Sequence, residues 1–450
     1  MSEPALDPGG PSLARASGAL LAARILGATG FFVAAVIMAR SLGPTGRGTL
    51  AFITVIALLV ARLASFGIGG ATVYFAARRP AERARILGTS AGFVAVSGAA
   101  AIGLVAVFLL LVPGARPAGL TTELIWLMIP GTVLVCLVEW GLSFLLGARL
   151  LRAQLVAIGL GPWLYAAALA AAALLGDLDV ERAAAAWVAS GVAWVMLIAI
   201  LAISATGIAV PSLALLGESV RFGIRAWAGG LARSVNTRID QLLMAYLSTQ
   251  AALGVYAVAV NVSEALQYLP GAIAMAFAPA VAATAASDRR EKTLRTFRGA
   301  LLITLLTIPP AMLLGALLLP VVFGDAFRAS IVPFLILAPG AIGFLVMRVF
   351  SSALMGAALP GRSSVPPMAA LVTGVVLDLV LMPPYGAIGA AVASTAAFAA
   401  GGIAGIVLYR RVDRFALREL APGRTDAQSI LERSTRALGR ARRSAGGTAS

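Results

Sequence analysis

The stretch that decides the fold is RIDQLLMAYLSTQAALGVYAVAVNVSEALQYLP, which runs from Arg238 to Pro270. A short polar turn divides it into two apolar runs, and an arginine and an aspartate stand at its start. With the neighbouring sequence, each run reaches the roughly 20 residues that a helix needs to cross a bilayer core of about 30 Å. The stretch therefore predicts two consecutive membrane helices, and the first of them carries charges inside the membrane.

The rest of the 450-residue chain has the same character. Its mean hydropathy is +0.95, 60% of its residues are hydrophobic and 12% are charged, whereas soluble domains are only about half apolar. The composition predicts an all-α polytopic membrane protein. Twelve spans can be drawn, at 19–40, 50–76, 88–112, 122–146, 154–175, 185–206, 223–247, 254–284, 299–322, 332–357, 365–383 and 387–409.

The basic residues show how these spans are oriented. Arg40 and Arg225, at the ends of spans, are counted with the adjoining connections. Alternate connections and the two terminal segments then hold 25 of the 35 Lys and Arg residues on one side of the membrane and five on the other, and the remaining five lie inside spans. Because cytoplasmic loops carry the excess of positive charge, both termini are predicted to be cytoplasmic. The net charge of +16 is explained by this topology, so we expect no nucleic-acid partner.

Two residue types limit the chemistry. The chain has one cysteine, Cys136, and no histidine. An internal disulfide, a Cys-rich metal site, a Ser-His triad and an imidazole relay are therefore ruled out. We expect no catalytic residue, no metal and no cofactor.

Six spans in each half predict two six-helix lobes, related by a pseudo-twofold axis along the membrane normal as in transporters with parallel repeats. The basic tail is either a helix on anionic headgroups or a disordered segment. The predicted organisation is a cytoplasmic N-terminal segment at 1–18, an N-lobe at 19–206, a cytoplasmic linker at 207–222, a C-lobe at 223–409 and the basic cytoplasmic tail at 410–450.

Ionisable side chains inside spans are costly and usually face a cavity or a partner. In the seventh span, Arg233, Asn236, Thr237 and Asp240 share one face of a continuous helix, and Arg238 points about 140° away. The fourth span has a similar polar face, formed by Thr132, Cys136, Glu139 and Ser143. A water-filled cavity with arginines for an anionic ligand is one interpretation; Arg–Asp and Arg–Glu pairs that only fasten helices are the other. The ionisable residues are Arg24, Arg62, Glu139, Arg233, Arg238, Asp240, Glu264, Arg348 and Asp378.

Three stretches carry a resemblance to a known family: Arg238–Pro270; LDLVLMPPYGAIGAAVASTAAF, Leu377–Phe398; and ARSLGPTGRGTLAF, Ala39–Phe52. They resemble the seventh and eighth spans, the turn between the eleventh and twelfth spans, and the first outer turn of polysaccharide and O-antigen flippases. These flippases belong to the multidrug/oligosaccharidyl-lipid/polysaccharide (MOP) exporter superfamily. The stretches fall in both halves, so the resemblance covers most of the chain.

The resemblance implies a MATE-like pair of lobes in the bacterial cytoplasmic membrane. They would move undecaprenyl-diphosphate-linked oligosaccharide from the inner to the outer leaflet by alternating access, through a cationic cavity and with coupling to H⁺, Na⁺ or the membrane potential. Only Arg238, Asp240 and Gln241 match a family motif. The chain departs from the family at two points. Family members often have asparagine near the position of Asp378, and the lipid II flippases typically have fourteen spans where twelve are drawn here.

We therefore assign two sets of site residues. Position in the spans assigns Arg24, Arg62, Arg233, Arg348 and Asn236 to the diphosphate of the substrate. Ion coupling or structural pairing is assigned to Asp240, Glu264, Glu139, Arg238 and Asp378.

Two other functions remain open. A MATE-like multidrug exporter of the same superfamily would use acidic and aromatic residues for cationic drugs. A membrane glycosyltransferase or ligase could use the D-x-D-like pair Asp177 and Asp179 for a metal–diphosphate site. Expected partners are the lipid-linked glycan, membrane lipids and, as a hypothesis, a polysaccharide polymerase.

Overall fold

Helices make up almost all of the part of the chain that the computed structural model describes, residues 11–282, 284 and 286–423. For 11–17, 226, 228–230, 232–233, 268–276, 278–280, 282 and 286 it describes only the backbone. The helices are α1 Pro11–Ala64, α2 Ile68–Arg78, α3 Arg83–Leu111, α4 Thr122–Gly147, α5 Leu151–Leu174, α6 Val180–Thr206, α7 Leu213–Asn236, α8 Ile239–Leu247, α9 Gln250–Ala282, α10 Ala286–Phe323, α11 Ile331–Gly356, α12 Pro360–Ser363 and α13 Val365–Arg410.

The predicted polytopic membrane fold is confirmed. Among the described residues, eight helices are long and apolar enough to cross a bilayer. Two of these, Gly18–Ala64 and Pro360–Arg410, hold 47 and 51 residues, more than twice the roughly 20 that one crossing needs. Each is broken at a glycine with positive φ, Gly43 at 63° and Gly386 at 50°, in the turns predicted between spans one and two and between spans eleven and twelve. Each therefore supplies two crossings.

Two predicted spans are not continuous helices. The second, 50–76, is interrupted between Ala64 and Ile68, where α1 ends and α2 begins. The seventh, 223–247, is interrupted at Thr237 and Arg238, between α7 and α8. The single face predicted to run from Arg233 to Asp240 is therefore wrong, because the helix stops in the middle of it.

Local hydrogen bonds explain the second interruption. The hydroxyl of Thr237 donates to the carbonyl of Ser234 over 2.9 Å, and the backbone N–H of Arg238 donates to Val235 over 3.1 Å. The Asp240 carboxylate accepts from the N–H of Gln241 at 2.8 Å. Short polar side chains compete in this way with the helical ladder and favour its ends over its interior.

The chain divides into two compact units, Met1–Val255 with Val322–Phe327, and Tyr256–Val321 with Arg328–Ser450. Helices α1 to α8 thus share one unit, while α10 to α13 lie mainly in the other. The two symmetric lobes stay a prediction.

Close helix packing holds the first unit together. A Cβ added to Gly161 would lie 1.9 Å from the Trp194 ring, and one added to Gly131 would lie 2.1 Å from the Trp187 ring. These glycines on α5 and α4 thus accept two tryptophan rings of α6. In lipid, helices associate by such packing, because burial of apolar surface gives little driving force there.

The second unit packs around Phe350 of α11, which is fully buried. Tyr409, at the end of α13, lies 5.5 Å from Phe350 between ring centroids, and its hydroxyl donates to Asp413 at 2.7 Å. Outward-facing apolar side chains, such as Leu306 and Val380 at 67% and 62% exposure, form the surface that lipid covers.

Candidate functional site

The interruption of the second span frees backbone groups inside the membrane. Phe66 and Gly67 have φ values of 43° and 75°, and such a conformation costs a residue other than glycine about 1–3 kcal/mol. The carbonyl of Arg62 lies in the last turn of α1 and has lost its helical partner. It accepts instead from the Ser65 hydroxyl at 2.9 Å and from the Trp227 indole N–H at 3.0 Å.

A pocket of about 290 Å³ opens at this interruption. Broken membrane helices in transporters place their freed ends at substrate sites in the same way. The residues that line the pocket come from α1 to α4, α7 and the break: Ala61, Arg62, Ala64, Ser65, Gly67, Ile68, Gly69, Gly70, Ala71, Val94, Cys136, Glu139, Trp140, Ser143, Phe222, Gly223, Trp227 and Leu231.

Two of the predicted site residues meet in this pocket. The Arg62 guanidinium, from α1, lies 2.6 Å from a carboxylate oxygen of Glu139, from α4. Their side chains keep 47% and 27% of their surface exposed, so the pair faces the pocket and is not sealed between helices. Cys136 and Ser143, which share the predicted polar face of the fourth span with Glu139, also line it. The pocket thus holds one positive and one negative group in contact.

Aromatic rings also line the pocket. Phe66 stacks on Trp227 with ring centroids 5.6 Å apart. The indole of Trp140 donates to the hydroxyl of Thr72 at 3.1 Å, which fixes this ring against α2. The arrangement can bind a charged group through Arg62 or Glu139 and an apolar or sugar face against the rings.

The approach of α7 to the break depends on two glycines. A Cβ on Gly67 would lie 2.2 Å from the carbonyl oxygen of Gly223, and a Cβ on Gly223 would lie 2.5 Å from that of Gly67. Real side chains do not reach such distances, so only glycine permits this contact. It brings Trp227 to the pocket.

The other residues assigned to the diphosphate whose side chains the structure describes do not line this pocket. Arg24 is exposed on α1. Asn236 is half-buried at the C-terminal end of α7. In the second unit, the half-buried Arg348 of α11 holds its guanidinium 5.8 Å from the centre of the Phe344 ring. The side chain of Arg233 lies outside the described residues.

The residues assigned to coupling or pairing lie on several different helices. Arg238 is the N-cap residue of α8, and Asp240 lies in the first turn of that helix. Glu264 is half-buried on α9. Asp378, on α13, is only 2% exposed. Of this set, the pocket contains Glu139 alone.

Arg47 is a buried arginine that was not among the predicted site residues. It was counted among the arginines of an outer connection, but it lies inside α1 and is only 7% exposed. Within the described part of the chain its Nε has no hydrogen-bond partner. The glycine that follows Arg47, Gly48, is the sequence feature that could have indicated this burial. A Cβ at Gly48 would lie 1.8 Å from the carbonyl oxygen of Gln250. Backbone contact at this glycine buries the arginine beside it.

The D-x-D-like loop has local roles. Asp179 caps α6 by accepting from the N–H of Arg182 at 2.7 Å, and the Arg182 side chain donates to the carbonyl of Asp177 at 2.6 Å. Glu181 accepts from the Thr121 hydroxyl at 3.2 Å. These contacts join the loop to the neighbouring helix ends.

Comparison with solved structures shows the fold. "Lipid II flippase MurJ, inward closed conformation" matches with a TM-score of 0.70 and 13% identity over 90% of this chain and 88% of that chain. An inward-facing MATE family multidrug transporter of the MOP superfamily matches with 0.64 and 16% over 86% and 94%. A structure of the MATE multidrug transporter DinF-BH matches with 0.62 and 19% over 92% and 98%.

Comparison of sequences shows the family. No curated protein matches the chain. The family model described as "Polysaccharide biosynthesis protein" matches residues 13–285, more than half of the sequence. The chain belongs to the polysaccharide biosynthesis protein family and has the fold of the MOP superfamily of transporters.

Proposed function

We propose that the protein is a flippase that moves undecaprenyl-diphosphate-linked oligosaccharide, a polysaccharide or O-antigen repeat unit, across the bacterial cytoplasmic membrane. The family match over residues 13–285 carries this proposal. Arg62 supports it, because it places a guanidinium inside a pocket in the membrane-spanning region. The planar fork of arginine can donate two parallel hydrogen bonds to a phosphate.

The proposed cycle follows from the cost of moving a charged, hydrated headgroup through hydrocarbon. The diphosphate and sugars occupy the polar cavity that contains Arg62, and the polyprenyl chain stays in lipid. Arg62 leaves Glu139 and binds the diphosphate, and rocking of the lobes then exposes the headgroup to the other leaflet. No step breaks a covalent bond, so the protein is a transporter and not an enzyme.

Coupling to an H⁺ or Na⁺ gradient, or to the membrane potential, belongs to the same proposal. Asp240 and Glu264 are the carboxylates proposed to carry the ion. Asp240 lies in the first turn of α8, next to the interruption, and its carboxylate accepts from the backbone N–H of Gln241, so a change in its charge acts close to the α7–α8 junction. A polysaccharide polymerase is the proposed protein partner, and both termini face the cytoplasm.

A deletion strain tests the proposed function. In the deletion strain, the lipid-linked oligosaccharide should accumulate on the inner leaflet and the surface glycan should be lost. The wild-type gene should restore export. Unchanged surface glycan with raised sensitivity to cationic drugs would reject the flippase.

A second candidate, a multidrug exporter, is favoured by one observation. Glu139 shares the pocket with Trp140 and Trp227, and a carboxylate among aromatic rings suits an organic cation. The two functions differ in which charge of the Arg62–Glu139 pair meets the substrate. Transport that depends on Glu139 and not on Arg62 would identify the exporter.

A further inference from the structure

A second cleft, with a volume of about 470 Å³, lies between the C-terminal end of α2 and the first turns of α7. Both helices belong to the same compact unit. We name it the arginine cleft, because Arg78, Arg79, Arg221 and Arg225 line it. In the predicted topology it opens at the cytoplasmic surface of the membrane.

Arg79 contacts both carboxylates near this cleft, those of Glu218 and Glu82. The Arg79 guanidinium donates one hydrogen bond to each carboxylate oxygen of Glu218, at 2.8 and 2.6 Å. Glu82, at the end of the short 3-10 helix Pro80–Glu82 that follows α2, also lies 3.9 Å from Arg79. Arg78 is turned toward Tyr74, donating to its hydroxyl at 2.9 Å. Two of the four guanidinium groups therefore have fixed partners.

The other two guanidinium groups are open. Arg221 and Arg225 are exposed, and among the described residues neither forms a hydrogen bond or a contact ion pair, although Arg221 attracts the nearby carboxylate of Glu218. They stand four residues apart on α7, where like charges meet and destabilise a helix. An anion between them would remove this repulsion and fill their donors.

Aromatic rings form the inner wall of the cleft. Tyr74 stacks on Phe222 with centroids 4.5 Å apart, and Phe75 meets Phe222 edge-on at 5.5 Å. Aromatic rings beside basic residues are typical of the headgroup level of a membrane. A soluble anion would gain nothing from this apolar wall, whereas a lipid would lay its glycerol and upper acyl chain against it.

We propose that the arginine cleft binds the phosphate of an anionic lipid headgroup in the cytoplasmic leaflet, with Arg221 and Arg225 as the donors. The site is separate from the pocket at Arg62, and it does not depend on which substrate the protein transports. A bound lipid would bridge α2 and α7 at the end where the Arg79–Glu218 pair already joins them.

Native mass spectrometry of the full chain tests this site. The protein is released from mixed micelles that contain phosphatidylglycerol or phosphatidylcholine, and the retained lipid is counted. We expect wild type to retain phosphatidylglycerol preferentially, and R221Q/R225Q to lower its apparent affinity at least about tenfold. The control R152Q/R295Q removes two exposed arginines elsewhere and should bind as wild type does.

Further arms keep the outcome clear. R221K/R225K keeps both charges without the guanidinium fork and should fall between wild type and R221Q/R225Q, and equal melting temperatures show that the variants are folded. The proposal is overturned if R221Q/R225Q retains phosphatidylglycerol as wild type does, or if R152Q/R295Q loses as much. It is also overturned if inorganic pyrophosphate displaces the lipid at equal concentration, because the ligand is then a free phosphate.

Discussion

At the scale of single residues, the main feature of the pocket is an ion pair whose two side chains are in contact and partly exposed. Arg62 and Glu139 lie 2.6 Å apart, yet both keep exposed surface. A sealed pair could not exchange partners without leaving a charge unpaired in a medium of low dielectric constant. A partly exposed pair can exchange, because water or a substrate replaces the lost contact. This pair therefore suits a site that must bind and release a charged ligand.

Substitutions of Arg62 and Glu139 show whether the pair binds substrate or only holds α1 and α4 together. We expect Arg62→Gln to lower glycan export about tenfold or more, a loss of about 1.4 kcal/mol or more in transition-state stabilisation, and Glu139→Gln to lower it less. Export by complemented cells gives the measurement. Arg290→Gln is the matched control, because it breaks an exposed pair with Glu419 in the other unit. Equal losses in both single variants, with recovery in R62Q/E139Q, would show that the pair only fastens helices.

The Arg79–Glu218 pair predicts a pH dependence of stability. The hydrogen bond from Arg79 holds the pKa of the Glu218 carboxyl below its ordinary value of 4.5. The ionised form thus stabilises the folded state fully above pH 4.5, and this contribution is lost as the pH falls through the lowered pKa. The effect is small because the pair is exposed.

Thermal unfolding in detergent measures this contribution. The melting temperature of wild type should fall more than that of Glu218→Gln as the pH drops below 4.5. Parallel curves for the two proteins would contradict the assignment.

At the scale of elements, the interruption of the second span determines where the pocket lies. The break at Phe66 and Gly67 frees the carbonyl of Arg62, and Trp227 of α7 supplies its new donor. Hydropathy alone cannot locate this break, because the residues on both sides of it are apolar. What fixes it is the backbone contact of Gly67 with Gly223, about 150 positions away in the sequence.

Two glycines of this pocket predict opposite results. Gly67→Ala forces a Cβ to 2.2 Å from the Gly223 carbonyl oxygen at φ 75°, so we expect a loss of about 1–3 kcal/mol in stability together with reduced transport. Gly70 also lines the pocket and has open space around it, so Gly70→Ala should be neutral or stabilise α2 by up to about 1 kcal/mol. Melting temperatures and export of both variants give the test, and a harmless Gly67→Ala would remove the role given to this contact.

At the scale of the whole molecule, the chain is a multi-pass membrane protein of known family and fold, and its orientation rests on the arginine count. We expect a cysteine at Ala118, an exposed residue of a predicted outer connection, to react with an impermeant maleimide in intact cells. A cysteine at Ser287, exposed on the predicted cytoplasmic side, should react only after permeabilisation. Both are placed in a Cys136→Ala background. The reverse pattern would invert the topology.

Much of this architecture was predictable from hydropathy and charge. The fourth span was drawn at 122–146 and is Thr122–Gly147, because an uninterrupted apolar run between polar loops has clear ends. The site was less predictable. Helical spacing placed Glu139, Cys136 and Ser143 on one face correctly, since α4 is continuous there. Helical spacing failed from Arg233 to Asp240, because polar side chains end the helix there. The burial of Arg47 was not predicted, because it depends on backbone contacts between positions far apart in the sequence.

In the function that we propose, Arg62 binds the lipid-linked diphosphate during its transfer across the membrane. Proteoliposomes with purified protein and a fluorescent undecaprenyl-diphosphate oligosaccharide measure that transfer directly. We predict that wild type moves the lipid between leaflets, that Arg62→Gln is about tenfold slower, and that Arg290→Gln matches wild type. Transfer no faster than in protein-free vesicles, together with Glu139-dependent transport of a cationic dye, would contradict the claim.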